Sequence, residues 1–298
     1  MEHPTFEKRR LLRRGALCVL ATGVAVMIML IQTGPSSSAG PARLSSLRPA
    51  RPSGPVANQA SSIPVHQLVD LFGDSLGYQA EPYLDLLFAE TGNVTVSNNT
   101  FGGTATCDWL GDMAADAALH PQAAVLVFSG NAFTPCMDGI ALRTPQYYDR
   151  YFSDTEQAIG IFAAAGAHVF LVGTPIDVSS TAGWDRLDDI YRQLAQANPL
   201  TVTYLDAGAA VESPGGGFTW QLPCMSVEPS CGTSGTNIVR SPDGIHFCPD
   251  GTPAKVGVTG SCDEYSSGAF RFALAIVHAV TQSQSRAIVA EDSALWMG

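Results

Sequence analysis

From Pro64 onward, short apolar runs alternate with amphipathic stretches. Val65–Phe72 reads as a strand, and Leu76–Glu90 as a helix with Tyr83, Leu84, Leu87 and Phe88 on one side. A short strand follows at Val94–Val96, then a helix from about Asp108 to Leu119. The run Ala123–Phe128 is apolar throughout, the pattern of a strand buried on both faces. Tyr147–Ala165 is helical, His168–Val172 a strand, Asp185–Asn198 a helix and Thr201–Leu205 a fifth strand. The helix Ser267–Thr281 closes the series. Strands separated by helices of this length predict a parallel sheet with helices on both faces. Residues 207–242 break the rhythm: Gly215-Gly216-Gly217, two cysteines and several prolines read as a long loop. A loop of that length is commonly functional, and a disulfide would hold it in order.

The N-terminal part has a different pattern. Gly15–Ile31 is apolar apart from Thr22 and follows the basic residues Lys8, Arg9, Arg10, Arg13 and Arg14. This is a signal anchor or a signal peptide, and the basic flank predicts that everything beyond Ile31 is exported. Residues 33–62 are rich in Ser, Pro, Gly, Ala and Arg and read as a tether. The expected organisation is a cytoplasmic segment 1–14, an anchor or signal 15–32, a linker 33–62, a folded domain 63–285 and a tail 286–298.

Charge sharpens this picture. The chain carries a formal −11, but the basic residues gather before and just after the apolar segment. The exported body alone stands at about −17, which argues against nucleic acid as a partner. The expected partner at this stage is the membrane, through the N-terminal segment. Beyond Cys18, six cysteines remain: Cys107, Cys136, Cys224, Cys231, Cys248 and Cys262. An even number in an exported body implies three disulfides, although six cysteines allow fifteen connectivities. Sequence proximity favours Cys107–Cys136, Cys224–Cys231 and Cys248–Cys262. A zinc site built on His246-Phe247-Cys248 is disfavoured because no Cys-x-x-Cys pair accompanies it, so neither metal nor cofactor is expected.

Candidate chemistry lies where ligands bind such sheets, at the carboxyl ends of the strands. Gly73-Asp74-Ser75 follows the first strand, Phe101-Gly102-Gly103-Thr104 the second and Ser129-Gly130-Asn131 the third; Asp243-Gly244-Ile245-His246 precedes the last helix. A serine at a strand-to-helix junction exposes its hydroxyl where the helix terminus favours negative charge, although serine also serves there as a simple cap. An Asp three residues before a His can hold the imidazole so that His246 takes the serine proton. Gly102 and Asn131, with the Ser75 amide, can supply donors to an oxyanion. Each feature alone has an ordinary structural explanation; their order along the chain does not. Asp74 reads as a turn residue. His66, His120, His168 and His278 read as structural. Phe218 and Trp220 either line a subsite or pack the long loop.

These blocks resemble the SGNH (GDSL) hydrolase family, whose marker residues are matched by Ser75, Gly102, Asn131 and His246, with Asp243 beside the histidine. The resemblance runs from about Val65 to Val280. It implies a flavodoxin-like α/β/α sandwich with a mostly parallel five-stranded sheet and metal-free ester hydrolysis or acyl transfer. Two departures stand out: Gly103 adjoins Gly102, and Ala132 follows Asn131 where many relatives carry Asp. Gly73-Asp74-Ser75-Leu76-Gly77 also fits the Gly-x-Ser-x-Gly elbow of α/β-hydrolases. That fold places its elbow after several strands and its Asp and His on separate loops, so the SGNH resemblance is preferred. The expected activity is that of an SGNH-type serine esterase acting on an envelope glycan or small acyl ester. The competing expectations are an O-acyltransferase using the same residues and a non-catalytic glycan-binding module.

Overall fold

The computed structural model describes residues 67–179, 186–240, 243–249, 262 and 264–295. The segments expected at 1–14, 15–32 and 33–62 lie outside the described residues, as does His66. Among the described residues, no helix is long and apolar enough to cross a membrane.

The sheet comprises β1 (Gln67–Gly73), β2 (Val94–Thr100), β3 (Ala123–Val127), β4 (His168–Val172) and β5 (Val202–Leu205). Its order is β2-β1-β3-β4-β5 and every pairing is parallel. This is the doubly wound flavodoxin order, with its switch point between β1 and β3. The helices are α1 (Ser75–Glu90), α2 (Leu110–Ala117), α3 (Pro145–Ala164), α4 (Arg186–Ala197) and α5 (Ser267–Leu295).

Alternation along the strands divides the core into two layers. Val69, Leu71, Val125, Val127, Phe170 and Val172 pack with Leu76, Ala80, Leu84 and Phe88 of α1 and with Phe272, Ile276 and Val280 of α5. On the opposite face, Phe72 meets the edge of Trp109 and the ring of Phe162, each at 5.8 Å between centroids. Helices therefore cover both faces, as the all-apolar β3 requires.

Several element boundaries differ from the sequence reading for local reasons. Strand β2 continues through the polar run Ser97–Thr100, in register with β1 up to Gly73↔Thr100. As an edge strand it meets polar partners: Asn98 donates to Asp85 at 2.8 Å and Asn99 to Asp116 at 2.8 Å. The helix expected over 108–119 is split into a 3₁₀ turn, Thr106–Asp108, and α2. Helix α5 runs beyond Thr281 to Leu295, into the expected tail, because no Gly or Pro interrupts that stretch.

The region 207–242, expected as a long loop ordered by a disulfide, also holds regular structure. It contains a 3₁₀ turn at Gly208–Val211 and an antiparallel hairpin of β6 (Gln221–Pro223) with β7 (Thr236–Ile238). Strands of three residues are too short to leave a periodic signal. Cys224–Cys231 closes the hairpin, and the other two disulfides are Cys107–Cys136 and Cys248–Cys262, the three pairs favoured by proximity. Three disulfides suit an oxidising compartment. Glu228, at the hairpin tip, accepts from Arg271 Nη2 at 2.9 Å and also from Ser267, tying the tip to the start of α5.

Candidate active site

Strand β1 and strand β3 approach each other so closely at their carboxyl ends that a Cβ on Gly73 would lie 2.8 Å from the Val127 carbonyl oxygen. The next residue, Asp74, caps α1: its Oδ1 accepts from the Leu76 amide at 3.0 Å. Ser75 thereby opens the helix, with its amide in the first turn, where N–H groups have no intrahelical partner. The Ser75 residue is 6% exposed.

His246 reaches Ser75 across 171 positions of sequence, with Nε2 2.9 Å from Oγ. Its Nδ1 lies 2.5 Å from Asp243 Oδ2. Asp243 Oδ1 accepts from the amides of Ile245 at 2.9 Å and His246 at 3.0 Å. The carboxylate thus shapes the turn with one oxygen and orients the imidazole with the other. With Nδ1–H donating to Asp243, Nε2 is left to accept the Ser75 hydroxyl proton. The Asp-x-x-His spacing works because residues 243–247 fold as a compact turn with Gly244 at φ +72°. The turn is anchored to α1 by Gln79, one helical turn past Ser75, whose Oε1 accepts from the Phe247 amide at 2.8 Å.

Block residues 129–131 are held from both sides. Tyr147 and Tyr151 on α3 donate to the carbonyls of Gly130 and Asn131, each at 2.8 Å. From below, Asp74 Oδ2 accepts from the Ser129 amide and hydroxyl, both at 2.6 Å, and from Asn131 Nδ2 at 3.1 Å. Asn131 Nδ2 also donates to the Thr104 carbonyl at 3.1 Å, which joins the second and third blocks. Asp74 is therefore more than the turn residue its position suggested; its carboxylate connects the helix that Ser75 opens to Asn131. Burial pushes its carboxyl above the usual range, against the hydrogen bonds from Ser129 and Leu76 and the charge of His246. Asp74 and Thr104 supply the orientation of Asn131 that an Asp at position 132 would otherwise give.

The two adjacent glycines separate by conformation. Phe101–Thr104 is a turn closed by Thr104 N–H to the Phe101 carbonyl at 3.4 Å, and Gly103 occupies its positive-φ position at +82°. Gly103 is required by the turn itself, whereas Gly102 is half-buried beside it. Phe218 and Trp220 stack edge to face at 4.7 Å, and Trp220 lies against Gly244 on the histidine turn. His168 bonds Thr203 at 2.8 Å and burial lowers its pKa, in keeping with a structural role. Cys248 is bonded to Cys262, so the His246-Phe247-Cys248 fragment holds no free thiolate.

Sequence reasoning did not single out Gln79, Thr104 or Arg240. Arg240 donates from beneath the histidine turn to the Ile245 carbonyl at 2.7 Å. Their roles depend on partners distant in sequence, and only the Gln79 spacing of four from Ser75 hinted at a shared helix face.

No curated protein matches the chain. Among solved structures, TesA is similar at 18% identity over 46% of this chain and 77% of its own, with a TM-score of 0.37. The esterase EstA from Pseudoalteromonas sp. gives 13% identity over 50% and 86%, with a TM-score of 0.36. A catalytic mutant of the acetylxylan esterase Axe2 from Geobacillus stearothermophilus gives 16% over 48% and 77%, with a TM-score of 0.37. These likenesses are remote. Residues 69–254, more than half of the chain, match the family described as "Protein of unknown function (DUF459)", and the chain belongs to that SGNH-hydrolase-like family.

Proposed function

We propose that the protein is a serine esterase that hydrolyses an acyl ester through an acyl-enzyme on Ser75. The observation that carries this reading is the continuous chain Ser75 Oγ–His246–Asp243, at 2.9 and 2.5 Å. Ser75 Oγ attacks the ester carbonyl carbon while its proton passes to His246 Nε2. The Asp243 carboxylate stabilises the imidazolium that forms. Collapse of the tetrahedral intermediate breaks the ester C–O bond, and the imidazolium proton leaves with the alcohol. Water then attacks the acyl-enzyme carbonyl and gives a proton to Nε2; collapse breaks the acyl–Oγ bond, the imidazolium returns that proton to Ser75 Oγ, and the carboxylic acid departs.

The oxyanion donors in this reading are the amides of Ser75 and Gly102 and the side chain of Asn131. Both Asn131 amide protons are engaged in the free protein. One of these two bonds, to Asp74 Oδ2 or to the Thr104 carbonyl and each 3.1 Å long, yields when Asn131 turns to the oxyanion. An acceptor bearing developing negative charge competes well for that proton.

The three disulfides and the N-terminal apolar segment support an exported enzyme tethered at the membrane, where an O-acylated envelope glycan or a small acyl ester is the substrate. Turnover of p-nitrophenyl acetate by the purified protein, beside Ser75→Ala, tests the assignment. The variant is expected to lose activity by at least about 10³-fold, and equal turnover by the two proteins would refute it. A glycan acceptor added to the same assay distinguishes hydrolysis from transfer to a sugar hydroxyl.

A further inference from the structure

Arg240 is 2% exposed, yet among the described residues it forms no ion pair. Its guanidinium donates from Nη1 to the Ile245 carbonyl at 2.7 Å and from Nη2 to the Ile176 carbonyl at 3.0 Å. It lies over the Phe247 ring, 5.2 Å from the centroid, and its Nε has no hydrogen-bond partner among the described residues. A charge buried this way is costly, and an apolar side chain of similar length would pack at less cost.

The surrounding charges narrow the explanation. Three carboxylates act on Arg240: Glu212, Asp177 and Asp243. Asp177 is already paired with Arg143 at 2.8 Å, and Glu212 accepts from the Ile176 amide at 3.1 Å. Asp243 interacts with the imidazole and with the amides of its own turn. The groups facing His246 are Asp243, Ser75 and, at longer range, the carboxylate of Asp74.

We infer that Arg240 is a positioning residue for the esterase site: its fork fixes the histidine turn. The fork spans the loop after β4 and the residue next to His246, so it sets the height of the imidazole above Ser75. A second tie, Val178 N–H to the Gly244 carbonyl at 3.2 Å, joins the same two loops but carries no charge. The inference rests on the proposed roles of Ser75, His246 and Asp243.

Two variants of the full-length protein, assayed for ester hydrolysis, test this. Arg240→Met removes the fork; kcat is expected to fall roughly 10- to 100-fold with KM little changed. Arg240→Lys has no planar fork to bridge the two carbonyls; kcat is expected to fall roughly 10-fold with KM unchanged. If Arg240→Met does not fold, Arg240→Lys carries the test through its kcat. Wild-type kcat in Arg240→Lys, or losses that fall on KM with kcat unchanged, would overturn the inference. Absence of Ser75-dependent turnover in the wild type would instead sink the reading of the site, and the inference with it.

Discussion

Asp70 lies in the middle of β1 with none of its surface exposed, and neither carboxylate oxygen has a hydrogen-bond partner among the described residues. Burial, and secondarily the negative charge of Asp116, push its carboxyl up from 3.8 to about 7. The folded protein therefore holds this proton in a range where the unfolded chain has released it. Stability falls as pH rises from the unfolded value through the folded one. Integrated from about pH 5 to about pH 8, the Asp70 contribution amounts to a loss of about 2.6 kcal/mol. Asp70→Asn removes the titration while keeping the shape, so its contribution no longer varies with pH. Urea unfolding of the wild type and the variant, disulfides intact, measures this at a series of pH values. Other shifted groups, such as Asp188 and Glu228, titrate in both proteins and largely cancel in the difference. Asp70→Asn is expected to gain about 2.5 kcal/mol relative to the wild type between those two pH values. Parallel stability curves would refute the argument and would mean that Asp70 is hydrated or paired.

Further expectations can be checked with single variants. Gly130→Ala sets a side chain at φ +105° and against the Tyr147 hydroxyl; thermal unfolding is expected to show a loss of about 3 kcal/mol. Asp243→Asn retains bulk but loses the charge that supports the imidazolium; kcat for ester hydrolysis is expected to fall on the order of 10³-fold with KM little changed. Hydrogen bonds from Arg271, Ser267 and the Met225 amide hold the Glu228 carboxyl down to about 2 despite burial. That stabilisation is complete above 4.5 and is lost as pH falls through about 2, so Glu228→Gln is expected to flatten the acid limb of the unfolding profile, as measured by circular dichroism.

The legible parts of the fold were those whose signal is local. Ala123–Val127 is apolar at every position and buried at every position, so β3 could be read directly from the chain. Strand β2 was legible only to Val96, because an edge strand can satisfy Asn98 and Asn99 with carboxylates on neighbouring helices. The β6–β7 hairpin was not legible, since strands of three residues held by a disulfide and by Glu228–Arg271 carry no periodicity. The same contrast holds at the site. Ser75, Gly102, Asn131, Asp243 and His246 stand in short blocks ordered along the chain, and the structure brings Ser75, Asp243 and His246 into one hydrogen-bonded chain. Asp74, Gln79 and Arg240 act through partners 55 residues, 168 residues and 64 residues distant respectively, and no local pattern encodes that.

The contact between Ser75 and His246 spans 171 positions, and Gln79 to Phe247 spans 168. On the proposed reading, a chain that presents only its first strand and helix carries a serine with no base. Ester cleavage would then begin only when the C-terminal part, with α5 packed beside α1, has folded back onto the sheet. The proposed esterase would in this sense be its own zymogen, inert until completion of the fold switches the hydroxyl on. A proteolytic cut that lets the histidine turn detach would switch it off again without touching the nucleophile.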